Sequence, residues 1–375
     1  MIDININSIL TTAVKKRASD IHLKAGRHPI FRIDGKLIQS PDFPKIVAED
    51  LLKTAASMMS NNIRAKFKER LEADFSYSVK DLGRFRVNAY LQRGSVVMVM
   101  RAIPRNIPSI EELNLPDVLR NIAMQQRGLV LVTGTTGTGK STTLASMIKY
   151  INAEREVNVI TIEDPIEFLH RDNKSIISQR EIGTDTLNFP DALKYSLRQD
   201  PDVILVGEMR DVETIETALL AAETGHLVMS TLHTLDAPET INRIISVFPP
   251  YHQRQVRMQL ASILKAVVSM RLVPKADGKG RVPAVEVMIN TPTIKDCIID
   301  KEKMSQIGDF MESGKSMYGS QSFDQSLYSL YQKGLVTYEE AVKWATRPDD
   351  FTLRVKGITT TSDAKWQDNN GEQTE

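Results

Sequence analysis

The sequence predicts an α/β protein in two parts, a small N-terminal α/β domain and a larger doubly wound domain that ends in a helical region. Three observations carry this. Four short, continuous, β-rich apolar runs, at 129–132, 159–162, 203–206 and 227–229, have the length of parallel strands buried on both faces. Helical patterns separate them, at 141–151 and at 212–224, where Ile215, Leu219 and Ala222 share a stripe and Gly225 ends it. Upstream, extended segments joined by glycine-containing turns mark a hairpin-built sheet.

In chain order, residues 7–18 place Leu10, Ala13, Val14 and Arg17 at helical spacing, which predicts a short amphipathic helix. Residues 21–23 and 30–38 are extended, with Asp34-Gly35 supplying hairpin turn chemistry. Residues 47–71 read as helical, with Leu51, Leu52 and Ala55 on one side. A second strand pair, 83–91 and 96–101, turns at Gly94-Ser95. Along its first strand Phe85, Val87, Ala89 and Leu91 alternate with Arg84, Arg86 and Asn88, so one face is apolar and the other cationic. Pro104, Pro108 and Pro116 rule out a regular helix after Arg101, so 104–118 is predicted to link a domain over 1–103 to a core over 119–290. A helical region over 291–356 and a polar, disordered tail over 357–375 complete the chain.

Composition narrows the class. With 375 residues, 41% of them hydrophobic and 25% charged, the chain can bury full cores and is not mainly disordered. Lys and Arg number 48 against 47 acids, so no global field draws a polyanion and no nucleic-acid partner is expected. The lone Cys297 excludes an internal disulfide framework and a multi-cysteine zinc site. No stretch approaches the roughly 20 apolar residues that cross a bilayer, and the N-terminus lacks a signal pattern. The expectation is a cytoplasmic protein without direct membrane insertion, which meets a membrane only through partners.

Gly134-Thr135-Thr136-Gly137-Thr138-Gly139-Lys140-Ser141 fits the phosphate-loop pattern, with a strand-like run before it and a helical one after it. The chemistry needs glycines because backbone N–H groups must converge on phosphate oxygens in conformations a side chain obstructs. Lys140 is placed to reach the β and γ phosphates, Ser141 to ligate Mg2+, and Thr142 to extend the nucleotide contact. A guanine-reading Asn-Lys-x-Asp is missing, because Asn173-Lys174 runs into Ser175 and Ile176, so ATP is the expected nucleotide. A RecA-like ATPase core follows from these features.

Ligands of a parallel sheet sit beyond the carboxyl ends of its strands, which draws attention to acids there. Glu163 follows the 159–162 run and Glu208 the 203–206 run. Hydrolysis needs one carboxylate to hold magnesium and another to orient or deprotonate water. Glu208 is assigned to the metal and Glu163 to the water, with the reverse left open; the bland alternative is a solvated acid at a strand end. His233, beyond the 227–231 strand, is placed to read the γ-phosphate, whereas His226 lies at the other end, over about 20 Å away along an extended chain.

The run Leu197-Arg198-Gln199-Asp200-Pro201-Asp202-Val203-Ile204-Leu205-Val206-Gly207-Glu208-Met209-Arg210-Asp211 resembles the signature of the secretion and type IV pilus ATPases. Residues 162–167 resemble that family's aspartate box, 224–237 its histidine box, and 18–37 the start of its PAS-like N-terminal domain. Without a four-cysteine zinc site or a long N-terminal extension, and with a similar stretch over 322–354, the chain looks most like the pilus-retraction subgroup. One departure stands out: Thr293-Ile294-Lys295-Asp296 replaces the Ala-Ile-Arg-Asn run of many retraction ATPases, and lysine lacks the planar fork of arginine. The resemblance implies a homo-oligomer, a hexameric ring, with ATP bound between the two domains. It further implies a partner in the inner-membrane pilus platform protein, peripheral association with that membrane, and Arg84, Arg86 and Arg101 as nucleotide-facing fingers. A RecA-like nucleic-acid translocase and a pilus-assembly or secretion ATPase are the alternative readings.

Overall fold

The computed structural model describes residues 5–80, 82–104 and 106–358. Among the described residues two units cohere internally: those through Asn106 together with Glu167–Leu169, and Ile107–Ile166 together with those from His170 onward.

The first unit is built on β1 (Asp20–Lys24), β2 (Ile30–Ile33), β3 (Lys36–Gln39), β4 (Glu72–Val79), β5 (Gly83–Gln92) and β6 (Ser95–Ala102). They form one antiparallel sheet in the order β3-β2-β1-β6-β5-β4. Alternation sends Phe85, Val87 and Ala89 of β5 and Met98 and Met100 of β6 to one face. There they pack with Leu10 of the helix Ile6–Lys15 and with Leu51 and Ala55 of the helix Ala48–Met58. Leu91, at the strand end, stays 37% exposed and leaves the predicted apolar row.

Three sequence expectations change here. The 47–71 helix is two helices, Ala48–Met58 and Asn61–Arg70, because Met59 is extended and the Ser60 hydroxyl caps the second by accepting from the Ile63 N–H (3.4 Å). The β5–β6 turn is Arg93-Gly94, one residue earlier than expected, since its twist needs positive φ at both central residues (50° and 79°). Asp34-Gly35 meets the same demand where it was expected. Strand β4 is additional; its Ala73, Phe75, Tyr77 and Val79 alternate, and its ladder with β5 runs the full length of β4, from Glu72 opposite Tyr90 to Val79 opposite Gly83.

The second unit contains β7 (Gly128–Thr133), β8 (Asn158–Glu163), β9 (Ile176–Glu181), β10 (Val203–Val206), β11 (Leu227–Leu232), β12 (Leu264–Pro274) and β13 (Arg281–Ile289). Their order is β13-β12-β7-β11-β10-β8-β9, parallel throughout except for the antiparallel edge strand β13. Along β7 the side chains alternate between two cores, as expected of a strand covered on both faces. Leu129 and Leu131 face Ile215, Leu219 and Ile241, whereas Val130 and Val132 face Leu144, Met147 and Ile151 of the helix Lys140–Glu154. The doubly wound α/β architecture follows from this division. Strands β9, β12 and β13 extend the sheet beyond the four apolar runs. Ile110 and Leu115, within the proline-punctuated stretch, belong to the second unit's core.

The projecting ends of β12 and β13 carry the C-terminal helices: Val273, Val282 and Ala284 pack with Phe323, Leu327 and Phe351. Among the described residues no helix is long and apolar enough to cross a membrane. The disordered-tail expectation falls, from residue 359 on, outside the described residues.

Candidate active site

Strand order decides what meets at the carboxyl edge of the second sheet. Consecutive neighbours β7, β11, β10 and β8 end in, respectively, the Gly134 loop, His233, Gly207-Glu208 and Glu163. At about 4.8 Å per strand the four span about 14 Å, the scale of a nucleotide triphosphate with its metal. Register keeps them level: Thr133 pairs with Leu232, Ser230 with Val206, and Val206 with Ile162. At the opposite edge Gly128 N donates to His226 O (3.0 Å), and the His226 ring lies against Ala221 O, away from the site.

The loop's path is set by its contacts within the protein. A Cβ on Gly134, whose φ is 137°, would lie 2.6 Å from Met270 O on β12, so only glycine lets the chain leave β7 this close to its neighbour. Thr138 Oγ1 closes the loop on Thr135 O (2.8 Å). Thr135, Thr136 and Gly137 at the crest are exposed, while Gly139, in the left-handed region, starts the helix Lys140–Glu154. The helix thus aims its first N–H groups and its positive end at the loop. Lys140 is buried, and its Nζ donates to Gly134 O (2.8 Å) and Thr135 O (3.1 Å), which puts a cation over the cradle. Ser141 and Thr142 follow on the first turn, partly buried.

The carboxylates are held differently. Glu163 Oε1 accepts from Thr161 Oγ1 (2.6 Å) and from Gln179 Nε2 (3.1 Å) of β9, both neutral donors. Glu208 Oε1 lies 2.6 Å from Arg210 Nε and 3.2 Å from His233 Nε2. Burial pushes the Glu208 carboxyl up, but hydrogen bonds and charge from Arg210 and His233 outweigh it, and the net direction is down. Glu208 therefore stays ionised. Arg210 and Gln179 were missed by sequence reasoning. Arg210 sits inside the quoted signature, two residues from Glu208; Gln179 lies on a strand with no periodic signal, and its value comes from its neighbour.

Arg84 and Arg86 lie on β5 and Arg101 on β6, within the first unit. Arg86 and Arg101 are cross-strand partners. Arg101 Nε binds Asp20 (2.9 Å) while remaining 69% exposed, and Arg86 stands 3.9 Å from Asp74. The cationic face read from the alternation is thus partly neutralised by acids of β1 and β4.

Beside the loop lies a cleft of about 350 Å³, lined by Gly134–Thr138, Leu235, Arg271, Lys343 and Trp344. Arg271 is fixed in its wall, donating to Trp344 O (2.8 Å) and lying 3.8 Å over the Phe323 ring. Ser141 and Glu208 carry oxygen donors of the kind Mg2+ takes. Among the described residues no group of three or more His, Cys, Asp or Glu is placed to hold a metal ion.

Residues 1–343 match the family described as type II/IV secretion system protein. The chain is 44% identical to a type IV pilus retraction ATPase, PilT, of Pseudomonas aeruginosa, over 92% of this chain and all of the relative. It is 43% identical to the type IV pilus ATPase PilU of the same organism, over 93% of this chain and 90% of the relative. The crystal structure of a pilus retraction motor, PilT, with bound ADP matches with a TM-score of 0.85 at 48% identity, covering 92% of this chain and 98% of that one.

Proposed function

Because the chain belongs to the type II/IV secretion system protein family, we propose that it is a phosphate-loop ATPase motor that powers type IV pilus retraction. The observation that carries the chemistry is the delivery of the Gly134 loop, His233, Glu208 and Glu163 to one sheet edge by four adjacent strands. In this reading the amides of the loop through Thr142 bind the phosphates of ATP, and Lys140 neutralises the β and γ oxygens. Ser141 and Glu208 would hold Mg2+, which when bound would supply positive charge for the phosphates. Glu163, oriented by the Thr161 hydroxyl and the Gln179 amide, accepts the proton of the attacking water. His233 hydrogen-bonds the γ-phosphate and reports its loss to Glu208.

The wider reading is a cytoplasmic hexamer at the inner membrane that works on a pilus platform protein, with Arg84, Arg86 and Arg101 supplying charge to the nucleotide as fingers. Deleting the gene separates retraction from assembly. Deletion cells are expected to keep surface pili and to lose retraction, scored by labelled-pilus imaging and by twitching. Bald cells would overturn the retraction assignment in favour of an assembly motor.

A further inference from the structure

Glu286 on β13 is a carboxylate at 6% exposure that the proposed hydrolysis leaves without a task. Its surroundings are ordered. Thr133, Ser269 and Glu286 are register partners across β7, β12 and β13. Thr133 Oγ1 donates to Ser269 Oγ (3.1 Å), and the Ser269 side chain hydrogen-bonds the Glu286 carboxylate. From the other side Ala237 N donates to Glu286 Oε1 (2.9 Å).

The two ends of this line are the two loops of the site. Thr133 is the last residue of β7 before Gly134; Ala237 is the first residue of the helix Ala237–Ser246, entered directly from the His233 loop. That loop is also held to its own helix, through Leu235 N to Glu239 Oε2 (2.7 Å) and Thr234 Oγ1 to Thr240 Oγ1 (2.6 Å), and to Glu208 through His233 Nε2 (3.2 Å). Burying a carboxylate costs free energy that an apolar residue on an edge strand would not incur. A carboxylate accepts both N–H and O–H at once; its protonated form loses one of these acceptor positions. Burial, with Asp236 beside it, raises its pKa to about 7, against the opposing donors Ala237 and Ser269 and the guanidinium of Arg271.

We propose that Glu286 is a positioning residue for ATP hydrolysis: ionised, it ties the His233 loop to the strand that carries the phosphate loop, and protonation slackens the tie. The inference rests on the ATPase reading above and deepens it.

The test is steady-state ATP hydrolysis by the full-length protein from pH 6 to 8.5, with KM read separately from kcat. For the wild type, kcat is expected to rise several-fold through about pH 7. Glu286→Gln should hold the low-pH wild-type kcat across the whole range, with KM for ATP within about twofold. Ser269→Ala, which leaves the carboxylate and Ala237 in place but cuts the line to Thr133, should lower kcat several-fold at pH 8 and serves if the glutamine variant folds poorly. Wild-type kcat and an unchanged pH profile in both variants, or an effect confined to KM, would overturn the inference. A wild type that hydrolyses no ATP would overturn the ATPase reading with it, so the two failures are distinguishable.

Discussion

At Gly207 a Cβ would stand 3.2 Å from Ile162 O and 3.3 Å from Glu163 Cα, so the residue before one of the two proposed site carboxylates is the spacer for the other. Packing this tight has no slack for a methyl group without moving a backbone by tenths of an ångström. Gly207→Ala should therefore displace Glu163, lowering kcat about tenfold or more while KM for ATP changes little; a kcat equal to wild type would break this link. The motif Gly134 to Ser141 was fully legible in the sequence, because its chemistry is local: loop, lysine and helix start are contiguous. Glu163 and Glu208 were legible as acids at strand ends. Their difference was not, since it lies in Thr161, Gln179, Arg210 and His233, which converge only after the strands are ordered.

Among the elements, β13 combines a structural cost with the placement of a loop. Glu286 binds its proton more tightly folded than unfolded, so its contribution to stability is full below its ordinary value of 4.5 and is lost as pH rises through about 7. The window is 4.5 to 7, and the loss at pH 8 is on the order of 3 kcal/mol. Glu286→Gln should then melt several degrees above wild type at pH 8, with the difference shrinking toward pH 5. A midpoint below wild type at pH 8 would contradict that sign. Periodicity found the four strands that bear the site but not β9, β12 or β13. In β12 and β13, Arg271, Arg281 and Glu286 interrupt the apolar pattern because they face the cleft, the C-terminal helices or the buried line to Thr133. The single helix over 47–71 failed for a different reason: Ser60 caps the second helix in a chain whose flanks both favour helix, and the propensity of the flanks hid the break.

At the scale of the whole molecule, each unit keeps its own core, one on the antiparallel sheet and the others on the two faces and the C-terminal end of the parallel one. The near-zero net charge gives no long-range attraction for polyanions, so specificity for a phosphate ligand has to come from fixed amides and a few placed cations. Lys140 is the one such cation inside the loop itself, already held by two loop carbonyls. Phosphate release from Mg-ATP by the purified full-length chain, beside Lys140→Ala, is the most direct measurement. Steady turnover by the wild type and a loss of about 100-fold or more in the variant is the predicted result. Equal turnover by the two proteins would contradict the claim that this loop is where ATP is hydrolysed.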